Sequence, residues 1–186
     1  MSDTAAATDK DEPGFVMMDR FVTLTYSEDL PPNTVRFADA LIAGRILGQK
    51  CPACGRVYVP PKEYCPLDVV ILSSADDVEV ADRGVVTGFT IIAPVHYYGQ
   101  TKTEPFVYAS VLLDGASGTL SGQDVSGIPA DKVHAGMRVR AVWKPVEERS
   151  TEGTTARGAS VAGCITSFEP SGEPDADPAA YREHII

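Results

Sequence analysis

Three of the four cysteines lie in one short stretch, residues 51–68, which reads CPACGRVYVPPKEYCPLD. Cys51 and Cys54 form a C-P-x-C-G motif, in which two thiolates can face one metal ion while Gly55 supplies the turn. Such a motif usually has a second copy after a short hairpin, and the letters VYVPP predict that hairpin. The second copy begins at Cys65 and places Asp68 where a regular motif has its fourth thiolate. The spacing predicts a zinc ribbon.

A site of three thiolates and one carboxylate is chemically sound, because carboxylate oxygens bind zinc at about 2.0 to 2.2 Å. We expect it to bind zinc more weakly than four thiolates do, and to be structural, since four protein ligands leave no open position. Two alternatives compete. A disulfide is disfavoured because the N-terminus lacks an apolar signal segment, which predicts the reducing cytoplasm. The other is a ribbon that keeps its shape without metal, with Asp68 capping the turn.

The charge balance limits the partners that the chain can bind. Its formal net charge is −10, and no cluster of Lys and Arg suits a nucleic-acid groove. No apolar run approaches the roughly eighteen residues that a membrane span requires. We therefore expect a cytoplasmic protein that binds neither nucleic acid nor a membrane.

Composition divides the chain into five segments. Residues 1–14 are predicted to be a disordered tail, because they carry too few large apolar side chains to offset the entropy of ordering. An N-terminal arm and helix follow at 15–44, and the zinc ribbon at 45–75. Alternating strand patterns occupy 76–168. Residues 169–186 form an acidic tail that we expect to be mobile unless a partner holds it.

The helix is predicted to begin at Asn33 or Thr34, either of which can cap it, and to run to about Ala43. Gly44 ends it. Residues 45–50, RILGQK, read as a strand that leads into the first cysteine motif. Helix and ribbon should therefore be contiguous.

Five strand patterns follow the ribbon, at 84–92, 106–113, 119–120, 137–143 and 159–168. Strict alternation would place one set of side chains of the first pattern on a single face, namely Val85, Thr87, Phe89 and Ile91. In the fourth pattern it would place inward Met137, Val139, Ala141 and Trp143. Five short strands predict a barrel of the OB type, and a β-sandwich is the alternative.

Signatures of independent catalysis are missing. The sequence has no G-x-S-x-G, P-loop, G-x-G-x-x-G or H-E-x-x-H motif. Cys164 lies inside a strand pattern and is expected to be a small buried side chain. The histidines stand alone, at His96, His134 and His184. The loop around Tyr97 and Tyr98 looks suited to recognition, although its tyrosines could equally pack back onto the barrel.

The order of these features resembles a known family, the acyl-CoA-associated zinc-ribbon plus OB-fold proteins that accompany thiolase-superfamily enzymes. The matching segments are FADALIAGRILGQKCPACGRVYVPPKEYCP, GVVTGFTII, PFVYASVLLDG and GIPADKVHAGMRVRAVW. The resemblance implies a rubredoxin-like ribbon in which Cys51, Cys54 and Cys65 match the family's first three zinc ligands. Asp68 departs from the fourth, which is usually Cys.

The family's role implies a non-catalytic subunit of a hetero-oligomer. Its partner would be a thiolase-superfamily protein that performs thiolysis, condensation, acyl transfer or retro-aldol cleavage on a CoA thioester, in lipid or aromatic acid metabolism. Acyl-CoA would bind at the shared site, where the second subunit can exclude water and clamp phosphates. The predicted contacts are Phe37, Lys50, Arg56, His96, Tyr97 and Tyr98.

Two other functions fit the same parts. A stand-alone acyl-CoA-binding protein would be monomeric and would bind CoA esters without help. A single-strand nucleic-acid binder also combines an OB barrel with exposed aromatic side chains, but it would require the basic groove that the sequence lacks.

Overall fold

The computed structural model of the chain describes residues 22–25, 27–93, 103–151, 154–155 and 158–185. Within these ranges it forms one α-helix, α1 (Pro32–Ile42), and ten strands. The strands are β1 (Ile46–Lys50), β2 (Val57–Tyr58), β3 (Asp77–Val80), β4 (Arg83–Ile92), β5 (Phe106–Leu113), β6 (Thr119–Val125), β7 (Arg138–Trp143), β8 (Thr154–Thr155), β9 (Gly158–Ala159) and β10 (Ile165–Pro170).

The helix α1 begins at a proline, Pro32. Pro32 has no N–H to leave unpaired in the first turn, which favours it at that position. The predicted side-chain cap at Asn33 or Thr34 is wrong, because no side chain caps this helix; the Asn33 amide donates to the Pro61 carbonyl instead, at 2.9 Å. The helix ends as expected, with Gly44 at a φ of +80° reversing the chain into β1.

The ribbon is a three-stranded antiparallel sheet in the order β2-β1-β3. A carboxylate at the start of β3 connects it to the helix, because Asp77 accepts hydrogen bonds from Arg36 of α1 at 2.7 Å and from Gln49 of β1 at 3.3 Å. Gly48 in the central strand leaves room for its neighbours, since a Cβ there would lie 2.7 Å from Val80 and 2.8 Å from Val57. Helix and ribbon are thus contiguous, as predicted.

The second unit is a closed five-stranded barrel in the order β10-β6-β5-β4-β7, and β7 pairs with β10 to close it. The predicted fold, a mainly β protein with a helix and ribbon followed by an OB barrel, is confirmed, and the sandwich alternative is excluded. One hydrophobic core joins the two units, because side chains of the helix and ribbon pack with those of the barrel. Its fully buried members include Phe37, Ile46, Val86, Val139 and Phe168.

Three barrel strands differ from their predicted form. β6 continues to Val125 instead of ending at Leu120. The last strand begins at Ile165, because Ala159 pairs with Thr154 in the separate hairpin β8–β9. In β4 the pairing with β5 shifts register at Thr87, which interrupts the strict alternation of side chains. The residues predicted to share one face, Val85, Thr87, Phe89 and Ile91, are therefore divided by this bulge. The inward pattern of the fourth predicted strand is confirmed. Met137, just before β7, and Val139 are buried in the core, and Ala141 and Trp143 are half-buried against it.

The C-terminal segment packs on the barrel, contrary to the expectation of a mobile tail. Tyr181 is buried against Val85 and Leu112, on the outer side of β4 and β5. Its acidic residues find cationic partners, since Arg138 donates to Glu173 at 3.0 Å. Apolar burial and ion pairing together supply the contacts that composition alone did not reveal.

Among the described residues, no helix combines the length and the apolar character that crossing a bilayer requires.

Candidate metal centre

Two turns with the same hydrogen-bond pattern carry the predicted metal ligands. We call them the first knuckle (51–56) and the second knuckle (65–70). In the first, the Cys51 N–H donates to the Arg56 carbonyl at 2.8 Å, and the Gly55 N–H donates back to the Cys51 carbonyl at 2.9 Å. The second repeats both bonds from Cys65, again with the fourth and fifth residues beyond it, at 2.8 Å each. The repeated pattern turns both segments toward each other.

The two knuckles bring four ligand atoms together. One thiol sulfur from each of Cys51, Cys54 and Cys65 and one carboxylate oxygen of Asp68 all lie within 4.8 Å of one another. Each knuckle contributes one buried ligand and one exposed ligand: Cys51 and Cys65 are buried, whereas Cys54 and Asp68 are exposed. The cluster therefore has a dry inner edge and an outer edge that faces solvent.

The distances within the cluster fit a tetrahedral zinc ion. Zn–S bonds of about 2.3 Å place two sulfurs about 3.8 Å apart, and a Zn–O bond of about 2.0 Å places oxygen and sulfur about 3.5 Å apart. The Cys54 and Cys65 sulfurs are 3.8 Å apart. The Asp68 oxygen is 3.5 Å from the Cys51 sulfur and 3.3 Å from the Cys65 sulfur. The residues present suit a metal ion, with zinc the choice that thiolates and tetrahedral spacing favour.

Hydrogen bonds within the cluster shift the pKa values of Cys54 and Asp68 in opposite directions. A hydrogen bond to the Asp68 carboxylate raises the pKa of the Cys54 thiol to about 12. The same hydrogen bond is the main cause that lowers the pKa of Asp68 below its usual value. The carboxylate is thus ionised at neutral pH, while Cys54 keeps its proton. A metal ion must displace that proton in order to bind.

Cys65 has a different environment. Burial acts to raise its pKa, but hydrogen bonds from the Tyr58 hydroxyl and from the backbone N–H groups of Asp68 and Leu67 outweigh burial, so the pKa lies below its usual value. The Tyr58 oxygen is 3.1 Å from the Cys65 sulfur. Its hydrogen bond with Cys65 is also the main cause that raises the pKa of Tyr58, which keeps the phenol protonated.

The sequence pattern predicts Tyr58 only as part of the short hairpin between the two cysteine motifs. A signal was present, because an aromatic hydroxyl in the hairpin that joins two cysteine motifs lies within reach of both. Only the register of β2 against β1 showed which sulfur it meets.

The predicted ligand contacts divide into three groups. Phe37 is wrong as a contact, because it is 0% exposed and belongs to the core. Lys50 and Arg56 are both exposed beside the first knuckle and stay predictions. The remaining three lie outside the described residues: His96, Tyr97 and Tyr98.

The other reactive side chains have structural roles. Cys164 is buried, as expected of a small core side chain, and burial raises the pKa of its thiol. His134 contacts the C-terminal segment, with its Nε2 atom 2.9 Å from a carboxylate oxygen of Asp175.

A ribbon with a candidate metal site of three cysteines and one aspartate, sharing its core with an OB barrel, defines a class of two-unit proteins. Residues 38–67 match the rubredoxin-like zinc ribbon domain of ChsH2, and residues 77–144 match the C-terminal OB-fold domain of ChsH2. These stretches cover more than half of the chain. The protein belongs to the ChsH2 family of zinc-ribbon and OB-fold proteins.

The chain is also similar to one curated protein and to two solved structures. The chain is 29% identical over 115 residues to a DUF35 domain-containing scaffold protein of Methanocaldococcus jannaschii, a match that covers 61% of this chain and 77% of the relative. The solved structure of an Ltp2-ChsH2(DUF35) aldolase shares the fold with a TM-score of 0.54 at 21% identity, over 78% of this chain and 99% of the other. A DUF35 protein of unknown function from Sulfolobus solfataricus is 25% identical, with a TM-score of 0.49 over 61% of this chain and 79% of the other.

Proposed function

We propose that this protein is a non-catalytic accessory subunit that binds a thiolase-superfamily enzyme and helps form that enzyme's acyl-CoA site. The observation that carries the proposal is the match of both the ribbon and the barrel to ChsH2 domains, together with a fold shared with an Ltp2-ChsH2(DUF35) aldolase. The name of that aldolase joins two proteins, and the Methanocaldococcus jannaschii relative is named a scaffold protein. Both names describe assembly with a partner.

The ribbon's part in this role is structural. We propose that Cys51, Cys54, Cys65 and Asp68 hold one zinc ion, which when bound would fix the two knuckles against each other. Four protein ligands leave no position for water or substrate, so the metal would not act on the acyl group. The tetrahedral spacing of the four ligand atoms supports this assignment.

A different region suits the partner. β4 and β5 pair on either side of residues 94–102, which include His96, Tyr97 and Tyr98, and the end of β4 carries exposed apolar side chains. Phe89 is 40% exposed and Ile91 is 46% exposed. Exposed aromatic and aliphatic side chains gathered at one end of a barrel are typical of a protein interface. We propose that this end of the hairpin contacts the enzyme.

Charge suggests where the nucleotide end of CoA would lie. Lys50 ends β1 and Arg56 ends the first knuckle, and both are exposed. They are two exposed cations beside the cysteine cluster, in a chain of net charge −10. We propose that they contact the CoA phosphates once the partner completes the site.

The test uses the full chain and the thiolase-superfamily enzyme recovered with it from the native host. We expect the double variant Tyr97→Ala/Tyr98→Ala to lower the affinity for that enzyme, or the activity of the complex, by tenfold or more, because interface tyrosines commonly contribute about 2 kcal/mol. The midpoint of thermal unfolding should stay unchanged. A matched control is Val146→Ala, which truncates an apolar side chain that is 69% exposed in a short 3-10 helix outside the hairpin. Unchanged affinity and activity in the double variant would contradict the proposed interface.

A further inference from the structure

The Tyr58 hydroxyl is directed at one sulfur of the metal cluster. Tyr58 lies in β2, opposite Gln49 of β1, and β1 leads directly into Cys51. Its half-buried ring packs against the small hydrophobic cluster of Cys51, Cys65 and Leu72. Because strand pairing fixes the backbone and packing fixes the ring, the hydroxyl is held 3.1 Å from the Cys65 sulfur.

Metal chemistry decides the direction of this hydrogen bond. A metal-bound cysteine is a thiolate and has no proton to donate. The phenol must then be the donor and the sulfur the acceptor. We propose that Tyr58 is a positioning residue of the metal site, whose hydroxyl donates a hydrogen bond to the Cys65 thiolate and thereby sets both the orientation and the electron density of that ligand. This inference rests on the metal site of the proposed function.

The burial of Cys65 makes such a donor important. Its sulfur is fully buried, and a buried anion is costly unless hydrogen bonds compensate for the lost water. The Asp68 N–H adds a second, longer contact at 3.5 Å. Among the hydrogen bonds described for the three cysteines of the cluster, the one to Cys65 is the only one from a hydroxyl group. Tyr58 therefore distinguishes Cys65 from the equally buried Cys51.

Replacing zinc by Co²⁺ in the full chain makes this donor visible. A hydrogen bond stabilises the sulfur lone pair, so its loss should move the sulfur-to-cobalt charge-transfer band to longer wavelength. We expect Tyr58→Phe to show that shift and to bind Zn²⁺ about 10- to 100-fold more weakly in competition with a chelator, which is the usual effect of removing an outer-shell partner. The matched control is Tyr64→Phe, because Tyr64 lies beside the second knuckle and is 56% exposed. It should match the wild type in both measurements.

The outcomes separate this inference from the metal site itself. If the wild type takes up neither Co²⁺ nor Zn²⁺ at one ion per chain, the metal site is wrong and this inference fails with it. If the wild type and Tyr58→Phe bind both metals with the same affinity and the same spectrum, only the role of Tyr58 is wrong. Should Tyr58→Phe not fold, the wild type loaded with ¹¹³Cd²⁺ gives the answer: the Tyr58 hydroxyl proton should show scalar coupling to cadmium, and lack of coupling overturns the inference.

Discussion

The two knuckles share a backbone conformation but differ in the residues that adopt it. Each begins with a buried cysteine whose N–H and carbonyl make the same two hydrogen bonds. Each ends with an exposed ligand, Cys54 in the first and Asp68 in the second. The residue after that ligand has positive φ in both, +73° at Gly55 and +56° at Val69.

The difference shows what determines the second knuckle. A left-handed conformation suits glycine but costs another residue about 1 to 3 kcal/mol, and a β-branched valine is a pronounced exception. Val69 is also 79% exposed, so packing of its own side chain does not compensate. Contacts on either side hold the turn instead, since Tyr64 pairs with Ile71 and the Leu72 N–H donates to the Glu63 carbonyl at 2.9 Å. The second knuckle is shaped by its surroundings, whereas the first is shaped by its own sequence.

Removing a buried ligand should have the largest effect. We expect Cys65→Ser to lose its metal and to lower the unfolding midpoint by about 5 °C or more, equivalent to about 2 kcal/mol for a chain of this size. Asp68→Ala should keep a weakly held metal, because it removes an exposed ligand and leaves three thiolates. Metal content after dialysis and calorimetry measure both. Equal losses in the two variants would show that burial does not rank the ligands.

Giving the second knuckle the chemistry of the first should strengthen the site. Asp68→Cys completes a four-thiolate set, which soft thiolate ligands make more favourable for zinc. We expect the zinc affinity to rise by about tenfold or more. Chelator competition against the wild type measures it, with Asp76→Cys as a control that adds a thiol outside the cluster. If the affinity does not rise, Asp68 already coordinates zinc as well as a cysteine at that position would.

The number of protons released on zinc binding should also differ between the wild type and Asp68→Cys. At neutral pH, Asp68 has a lowered pKa and carries no proton, whereas Cys54 has a pKa of about 12 and keeps its own until metal displaces it. A cysteine at position 68 would be mostly protonated at pH 7. Asp68→Cys should therefore release about one more proton per zinc ion than the wild type does. In both proteins the affinity should fall as the pH falls, because protons compete for the thiolates.

Titration calorimetry in buffers of different ionisation enthalpy counts those protons. Equal proton release by the two proteins would show that the side chain at position 68 does not bind the metal as a thiolate, and would contradict its place in the ligand set.

The positive-φ residues provide the smallest test. We expect Val69→Gly to raise the free energy of unfolding by about 0.5 to 2 kcal/mol, because relief of strain exceeds the entropy cost of glycine. Gly55→Ala should lower it by about 1 kcal/mol. Nothing lies within 4 Å of a Cβ added at Gly55, so its φ alone would cause that loss. Denaturant unfolding measures both, and destabilisation by Val69→Gly would mean that the valine side chain contributes contacts of its own.

Local patterns in the sequence were sufficient to predict the ribbon and the barrel. Ligand spacing in a knuckle is a property of a few consecutive residues, which is why Cys51, Cys54, Cys65 and Asp68 could be named together and do lie together. The alternation of β7 was predicted for the same reason, because its inward side chains recur every second residue.

Features that depend on distant residues were missed. The bulge at Thr87 follows from the register of β4 against β5, and the donor role of Tyr58 from the register of β2 against β1. Tyr181 is buried only because the C-terminal segment meets Val85 and Leu112 of the barrel. The prediction that Phe37 contacts a ligand is wrong for a similar reason. An aromatic side chain suits both a core and a binding site, and only the burial of Phe37 in the fold distinguishes the two roles.

If this protein is the accessory subunit of an acyl-CoA enzyme, as we propose, the composition of its native complex will show it. The tagged full chain would be isolated from its native host, and the proteins recovered with it identified and the assembly sized. We expect a thiolase-superfamily enzyme in near-stoichiometric amount, in a particle of the combined mass. Recovery of the chain alone, at the size of a monomer, would contradict it.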